Sequence, residues 1–157
     1  MILSVDRITP LISKSWGKGG GILVSDVGNK IKVLMAKVGV DTHDRGAKML
    51  CYTLRNAGME VIYTGLHQRA DMVVKTALQE DVDVIGVSHL SGSHFHHARQ
   101  IIGEMKESGL QDVLFIMGGV VPQAEVPALK QLGVKEVFRA NTPVREIINY
   151  ITDNVKK

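Results

Sequence analysis

The run Ile31-Lys32-Val33-Leu34-Met35-Ala36-Lys37-Val38, followed at once by Gly39-Val40-Asp41-Thr42-His43-Asp44-Arg45-Gly46, decides how the rest of the chain is read. Its first eight residues are almost continuously apolar and stop at a glycine, the pattern of a strand covered on both faces. Beyond the polar loop, Ala47, Leu50, Cys51 and Leu54 fall at i, i+3, i+4 and i+7 and make one apolar stripe along a helix. A buried strand, a short loop and an amphipathic helix form a β/α unit.

Working outward, the same alternation recurs. Strands are expected at residues 31–38, 59–64, 82–88, 113–117 and 134–138. Helical stripes recur at Ala98, Ile101, Ile102 and Met105 and at Val144, Ile147, Ile148 and Ile151, with weaker helices at 69–80 and 123–132. Gly58, Gly109 and Gly133 stand where helices should stop. Five β/α units with right-handed crossovers predict a flavodoxin-like (Rossmann-like) α/β fold, a three-layer sandwich around a five-stranded parallel sheet in the order 2-1-3-4-5. In that order the chain reverses direction between strands 1 and 3. The loops after Val38 and Val87 should therefore face each other across a crevice where ligands bind.

Residues 1–30 read differently: Gly17 and Gly19-Gly20-Gly21 interrupt a segment with one tryptophan and no sustained period. They are read as an arm and linker ahead of a domain at 31–157, with Trp16 either part of a loose tail or a docking residue for a partner. At 157 residues the chain holds one sizeable core. Its balance of 45% hydrophobic and 22% charged residues belongs to a soluble globular protein. The net charge of +3 is scattered and aromatics make up 4%, which argues against nucleic-acid binding. The single cysteine, Cys51, rules out an intrachain disulfide and suits a cytoplasmic protein. No apolar run approaches the roughly 20 residues that span a bilayer, and Asp6, Arg7 and Pro10 break the apolar start, so neither a signal peptide nor a membrane span is expected.

Several crevice residues carry chemistry. In the first loop, His43 stands two residues after Asp41. A metal-bound imidazole donates through one nitrogen, and a carboxylate on its other N–H fixes the tautomer. The loop also reads as an ordinary helix start, with Asp41 or Asp44 as its cap. After the third strand come Ser88-His89-Leu90-Ser91-Gly92-Ser93, small polar residues that either line a ligand or cap a helix. Gly118-Gly119 at the end of the fourth strand admits a bulky ligand or a tight turn. Arg139-Ala140-Asn141-Thr142 follows the fifth strand on the same edge, where it also serves as a helix cap. His94, His96 and His97 match no firm metal-ligand spacing and read as a solvated helix start.

Taken together, Asp41-x-His43-x-x-Gly46, Ser88-x-Leu90 and the paired Gly118 and Gly119 closely resemble the cobalamin-binding domain of methylmalonyl-CoA mutase, its acyl-CoA mutase relatives, glutamate mutase and methionine synthase. The resemblance covers about residues 31–155. The stretch from Lys37 to Lys48 looks most like the acyl-CoA mutases. Thr42 departs from the glycine common there, and His89 is unusual within Ser-x-Leu.

The resemblance implies cobalamin bound base-off/His-on, with His43 as axial ligand to cobalt and Asp41 as the partner of that imidazole. It places the cofactor against Asp41, Thr42, His43, Asp44, Arg45 and Gly46, against Ser88, Leu90, Ser91 and Gly92, and against Gly118, Gly119 and Thr142. No residue here is expected to perform the substrate chemistry. The function implied is that of the small subunit of an adenosylcobalamin-dependent acyl-CoA mutase, an isomerase of carbon skeletons that is inactive alone. A large subunit with a TIM barrel would bind the acyl-CoA in a hetero-oligomer. The alternative is a corrinoid carrier for methyl transfer, although such proteins usually have a helical cap domain that a 30-residue arm cannot supply. A phosphoacceptor receiver shares this sheet order but needs an aspartate at the end of the third strand, where Ser88 stands.

Overall fold

The computed structural model describes residues 30–155; apart from Lys30, the arm and linker read at 1–30, Trp16 included, lie outside the described residues. The chain runs β1 (Lys32–Ala36), α1 (Arg45–Asn56), β2 (Glu60–Tyr63), α2 (Ala70–Glu80), β3 (Val84–His89), α3 (His94–Glu107), β4 (Leu114–Gly119), α4 (Val126–Leu132), β5 (Glu136–Arg139) and α5 (Val144–Asn154). A 3₁₀ turn, Gln123–Glu125, leads into α4. Every strand pair is parallel and the order is β2-β1-β3-β4-β5, as the alternation predicts.

Two apolar layers hold the sheet, and β1 shows how. Val33 and Met35 pack with Cys51 and Leu54 of α1 and Ile147 and Ile151 of α5. Leu34 and Ala36 pack on the opposite face with Val73 and Ala77 of α2 and Ala98 and Ile101 of α3. A strand with helices on both sides needs apolar residues at both parities, which is why residues 31–38 show no polar alternation. Each fully buried Val, Leu or Ile contributes about 1.5–3 kcal/mol, so these layers dominate the fold's stability.

The strand ends differ from the sequence expectation where the site begins. β3 runs on to His89 and β4 to Gly119, because Ser88 pairs with Gly118 and His89 with Gly119. The paired glycines therefore lie inside the sheet rather than in a turn after it. Among the described residues no helix is long and apolar enough to cross a membrane.

Candidate functional site

The β1–α1 loop is pinned before it reaches its functional residues. Val38 bridges Gln68, and the amide of Gly39 donates to the Gln68 carbonyl at 3.0 Å. Asp41 then turns inward and is 2% exposed. Its Oδ1 accepts the amide of His43 at 3.0 Å and lies 2.9 Å from the His43 Nδ1. Its Oδ2 accepts the amide of Leu90 at 2.8 Å and the ammonium of Lys37. One carboxylate thus ties the loop after β1 to the loop after β3 across the switch point. Burial alone would raise its pKa, but the bonds from Lys37, His43 and Leu90 outweigh that and hold the carboxyl well below the usual range.

His43 is placed the opposite way, with its side chain 73% exposed. A carboxylate can only accept, so Nδ1 carries a proton, and in the neutral ring the lone pair is left on Nε2. The loop therefore presents one oriented imidazole, with Nδ1 held by Asp41 and the rest of the ring exposed. Thr42 is exposed and leaves the Asp41–His43 pair intact despite its β-branched side chain. Arg45 and Gly46 are exposed as well. Asp44 occupies the N-cap of α1 without a side-chain capping bond and pairs instead with Lys48 at 2.5 Å. The capping expected of Asp41 or Asp44 is thus performed by neither side chain.

Beside this loop a cavity of about 390 Å³ opens between the C-terminal half of the sheet and helices α1 and α5. That volume lies in the roughly 300–1,000 Å³ range of small-molecule and cofactor sites. Gly46, Ser88, Leu90, Gly118, Gly119 and Thr142 line it, so the structure brings together six of the sequence-selected residues from the start of α1, the ends of β3 and β4 and the loops after β3 and β5. Leu50, Phe138 and Ile147 complete a largely apolar wall. Ser91 and Gly92 lie outside it, on the exposed turn into α3. The final helix is capped at Pro143 and not by Thr142, which is free to face the cavity.

The two glycines have different reasons to be there. A Cβ on Gly119 would sit 1.9 Å from the His89 carbonyl oxygen, and φ is +134°. The neighbouring strand alone excludes a side chain at 119. At Gly118 a Cβ would meet nothing nearer than the Phe138 carbonyl oxygen at 3.4 Å, so its lack of a side chain keeps the cavity open.

The histidines of α3 correct the sequence reading. His94 is 4% exposed and pairs through Nε2 with Glu125, so the start of α3 is not simply solvated. His89 is 1% exposed, and its Nε2 accepts the amide of Ser93 at 3.1 Å. The rings of His89 and His97 meet edge to face with centroids 5.0 Å apart. Desolvation, then the nearby His97, pushes His89 down to about 4, and burial followed by His96 lowers His97. Among the described residues no group of three or more His, Cys, Asp or Glu side chains is arranged to hold a metal ion.

Lys37 is the residue that sequence reasoning passed over. It is completely buried, and Asp41 is its ion-pair partner. The signal is in the sequence: a lysine within the apolar run 31–38 needs a carboxylate, and Asp41 stands four residues on.

A family model described as the B12 binding domain matches residues 31–148. The chain belongs to that family. This B12-binding domain is 50% identical over 121 residues to the 2-hydroxyisobutanoyl-CoA mutase small subunit of Aquincola tertiaricarbonis, covering 77% of this chain and 89% of that one. It is 43% identical to the pivalyl-CoA mutase small subunit of Xanthobacter autotrophicus, covering 78% and 82%. Over 130 residues it is 34% identical to methylmalonyl-CoA mutase of Cereibacter sphaeroides, covering 83% of this chain but 18% of that enzyme. Its fold is shared by a cobalamin-binding protein from Desulfitobacterium hafniense, with a TM-score of 0.70 at 20% identity over 81% of this chain and 60% of that one. The residues present fit cobalamin: one outward imidazole nitrogen suits cobalt, and an apolar cavity beside it suits an aromatic base.

Proposed function

We propose that this B12-binding domain is the cobalamin-carrying small subunit of an adenosylcobalamin-dependent acyl-CoA mutase, with His43 as the axial ligand to cobalt. The observation that carries the reading is the inversion of burial within one pair: Asp41 is enclosed and His43 is exposed, three residues before Gly46, which lines the cavity. Bound adenosylcobalamin supplies a radical by homolysis of its cobalt–carbon bond, chemistry that belongs to the cofactor. The chain's own residues hold and orient it. Asp41 keeps the proton on Nδ1, so Nε2 is the donor, and Lys37 compensates the buried carboxylate.

The cavity under Ser88, Leu90, Gly118 and Thr142 would take the nucleotide tail in the base-off/His-on form, and Gly119 keeps the β3–β4 seam closed beside it. Thr42, Asp44, Arg45, Ser91 and Gly92 would border the corrin from the two exposed loops. Residues 31–157 would form the whole cofactor domain, with 1–30 as an arm, in a cytoplasmic protein whose one cysteine is a buried free thiol.

A large subunit is part of the proposal. The match to methylmalonyl-CoA mutase leaves most of that enzyme without a counterpart here, and a TIM barrel in the partner would bind the acyl-CoA. The corrinoid-carrier alternative is not favoured, because two relatives matched over four-fifths or more of their length are mutase small subunits. The test mixes the full chain with a large mutase subunit, adenosylcobalamin and a branched acyl-CoA. Isomerised acyl-CoA should form only when both proteins and the cofactor are present. Methyl transfer from methylcobalamin to a thiol, with no isomerisation, would replace this reading with the carrier.

A further inference from the structure

A second cavity, about 450 Å³, lies beside the first and is lined by Gly119, Val120, Val121, Arg139, Ala140, Asn141 and Thr142. Gly119, Arg139, Ala140 and Thr142 line both, so the two spaces adjoin along the ends of β4 and β5. Arg139 is the one charged residue that lines either space. Its guanidinium donates to Gln123 Oε1 at 2.9 Å, a neutral acceptor, and it forms no ion pair among the described residues. An arginine with five donors, one bonded to an amide oxygen and none to a carboxylate, retains capacity for an anion.

The inference rests on the cobalamin reading. In that reading an aromatic base enters the apolar cavity, and the tail that carries the base contains one phosphodiester, for which the adjoining space lined by Arg139 has room. We infer that Arg139 is the phosphate-recognising residue of this domain and sets its preference for a complete corrinoid over one lacking the nucleotide. Ser88 and Thr142 add hydroxyl donors to the lining of the apolar cavity but no charge. Removing the cation therefore removes the charge-assisted part of recognition and leaves the apolar part in place.

The experiment measures the affinity of the full chain for adenosylcobalamin and for adenosylcobinamide, which lacks the nucleotide and its phosphodiester, in wild type, Arg139→Gln and Arg139→Lys. Arg139 is exposed, so the variants should melt with the wild type. Arg139→Gln should weaken adenosylcobalamin about tenfold and leave adenosylcobinamide unchanged, the size expected for one charge-assisted hydrogen bond. Arg139→Lys should recover part of the loss, and the wild-type preference should shrink with added salt while that of Arg139→Gln does not. Equal weakening of both corrinoids, or unchanged adenosylcobalamin affinity in Arg139→Gln, would overturn the assignment. Failure of the wild type to bind adenosylcobalamin at all would instead overturn the cobalamin reading, and this inference with it.

Discussion

Two carboxylate–imidazole pairs follow the C-terminal ends of these strands, one in the β1–α1 loop and one between the start of α3 and the turn before α4, and they are built in opposite senses. In the Asp41–His43 pair the carboxylate side chain is 0% exposed and the imidazole 73% exposed. In the Glu125–His94 pair the imidazole is 4% exposed and the carboxylate 39%. The first buries the orienting group and offers the ring to a ligand. The second buries the ring and uses the carboxylate to close the start of α3 against the turn before α4. The same two chemical groups thus make a ligand in one place and a structural clasp in the other, and burial decides which.

That contrast is broken most forcefully at Asp41. Asp41→Ala leaves Lys37 enclosed without a partner and should cost about 3–5 kcal/mol in urea denaturation. Adding Lys37→Met should restore a large share of that loss. If the two losses simply add, the buried pair is not a coupled unit. At the other pair, His94→Ala should cost about 2 kcal/mol, within the range for losing a buried bonded side chain, and leave corrinoid coordination unchanged. A change in coordination would mean that His94 serves the ligand and not the clasp.

A pH series separates the loops further. His89 is held neutral, with its pKa down at about 4 against an ordinary value near 6.5. Between those values the unfolded chain binds the extra proton, so stability is fully present above about 6.5 and falls as pH drops toward 4. The melting temperature of wild type should decline across this window, and His89→Gln should flatten the decline. An unchanged slope would assign the acid sensitivity to other groups. The smallest stability effect belongs to His43→Ala, within about 0.5 kcal/mol because the ring is exposed, even though its functional loss should be complete.

Much of this was legible in the sequence for a physical reason: strands covered on both faces write continuous apolar runs, and helices on their flanks write 3.6-residue stripes. Those two signals located five strands, five helices and the switch point. The site was legible as far as residue types at strand ends go, since Asp41, His43, Ser88, Leu90, Gly118, Gly119 and Thr142 all sit on that edge. What the sequence did not disclose depended on side-chain direction. Asp41 reads equally well as a helix cap until its oxygens are seen bonded to Lys37 and Leu90. His94 was misjudged by composition, because three histidines in four residues look polar. Its spacing told otherwise: His94 stands four residues before Ala98 and extends the stripe of Ala98, Ile101, Ile102 and Met105 by one turn. Gly119 is fixed by a backbone oxygen of the adjacent strand, a tertiary contact that no local pattern contains.

The central claim is that the exposed imidazole of His43 binds cobalt in place of the cofactor's own base. Electron paramagnetic resonance of the chain carrying cob(II)alamin, prepared with natural and with ¹⁵N-labelled histidine, tests it most directly. The account predicts superhyperfine splitting from one nitrogen that the label changes from a triplet to a doublet, a response to the label that His43→Ala abolishes. A wild-type splitting that ignores the histidine label, or a label-sensitive splitting that survives His43→Ala, would contradict the account.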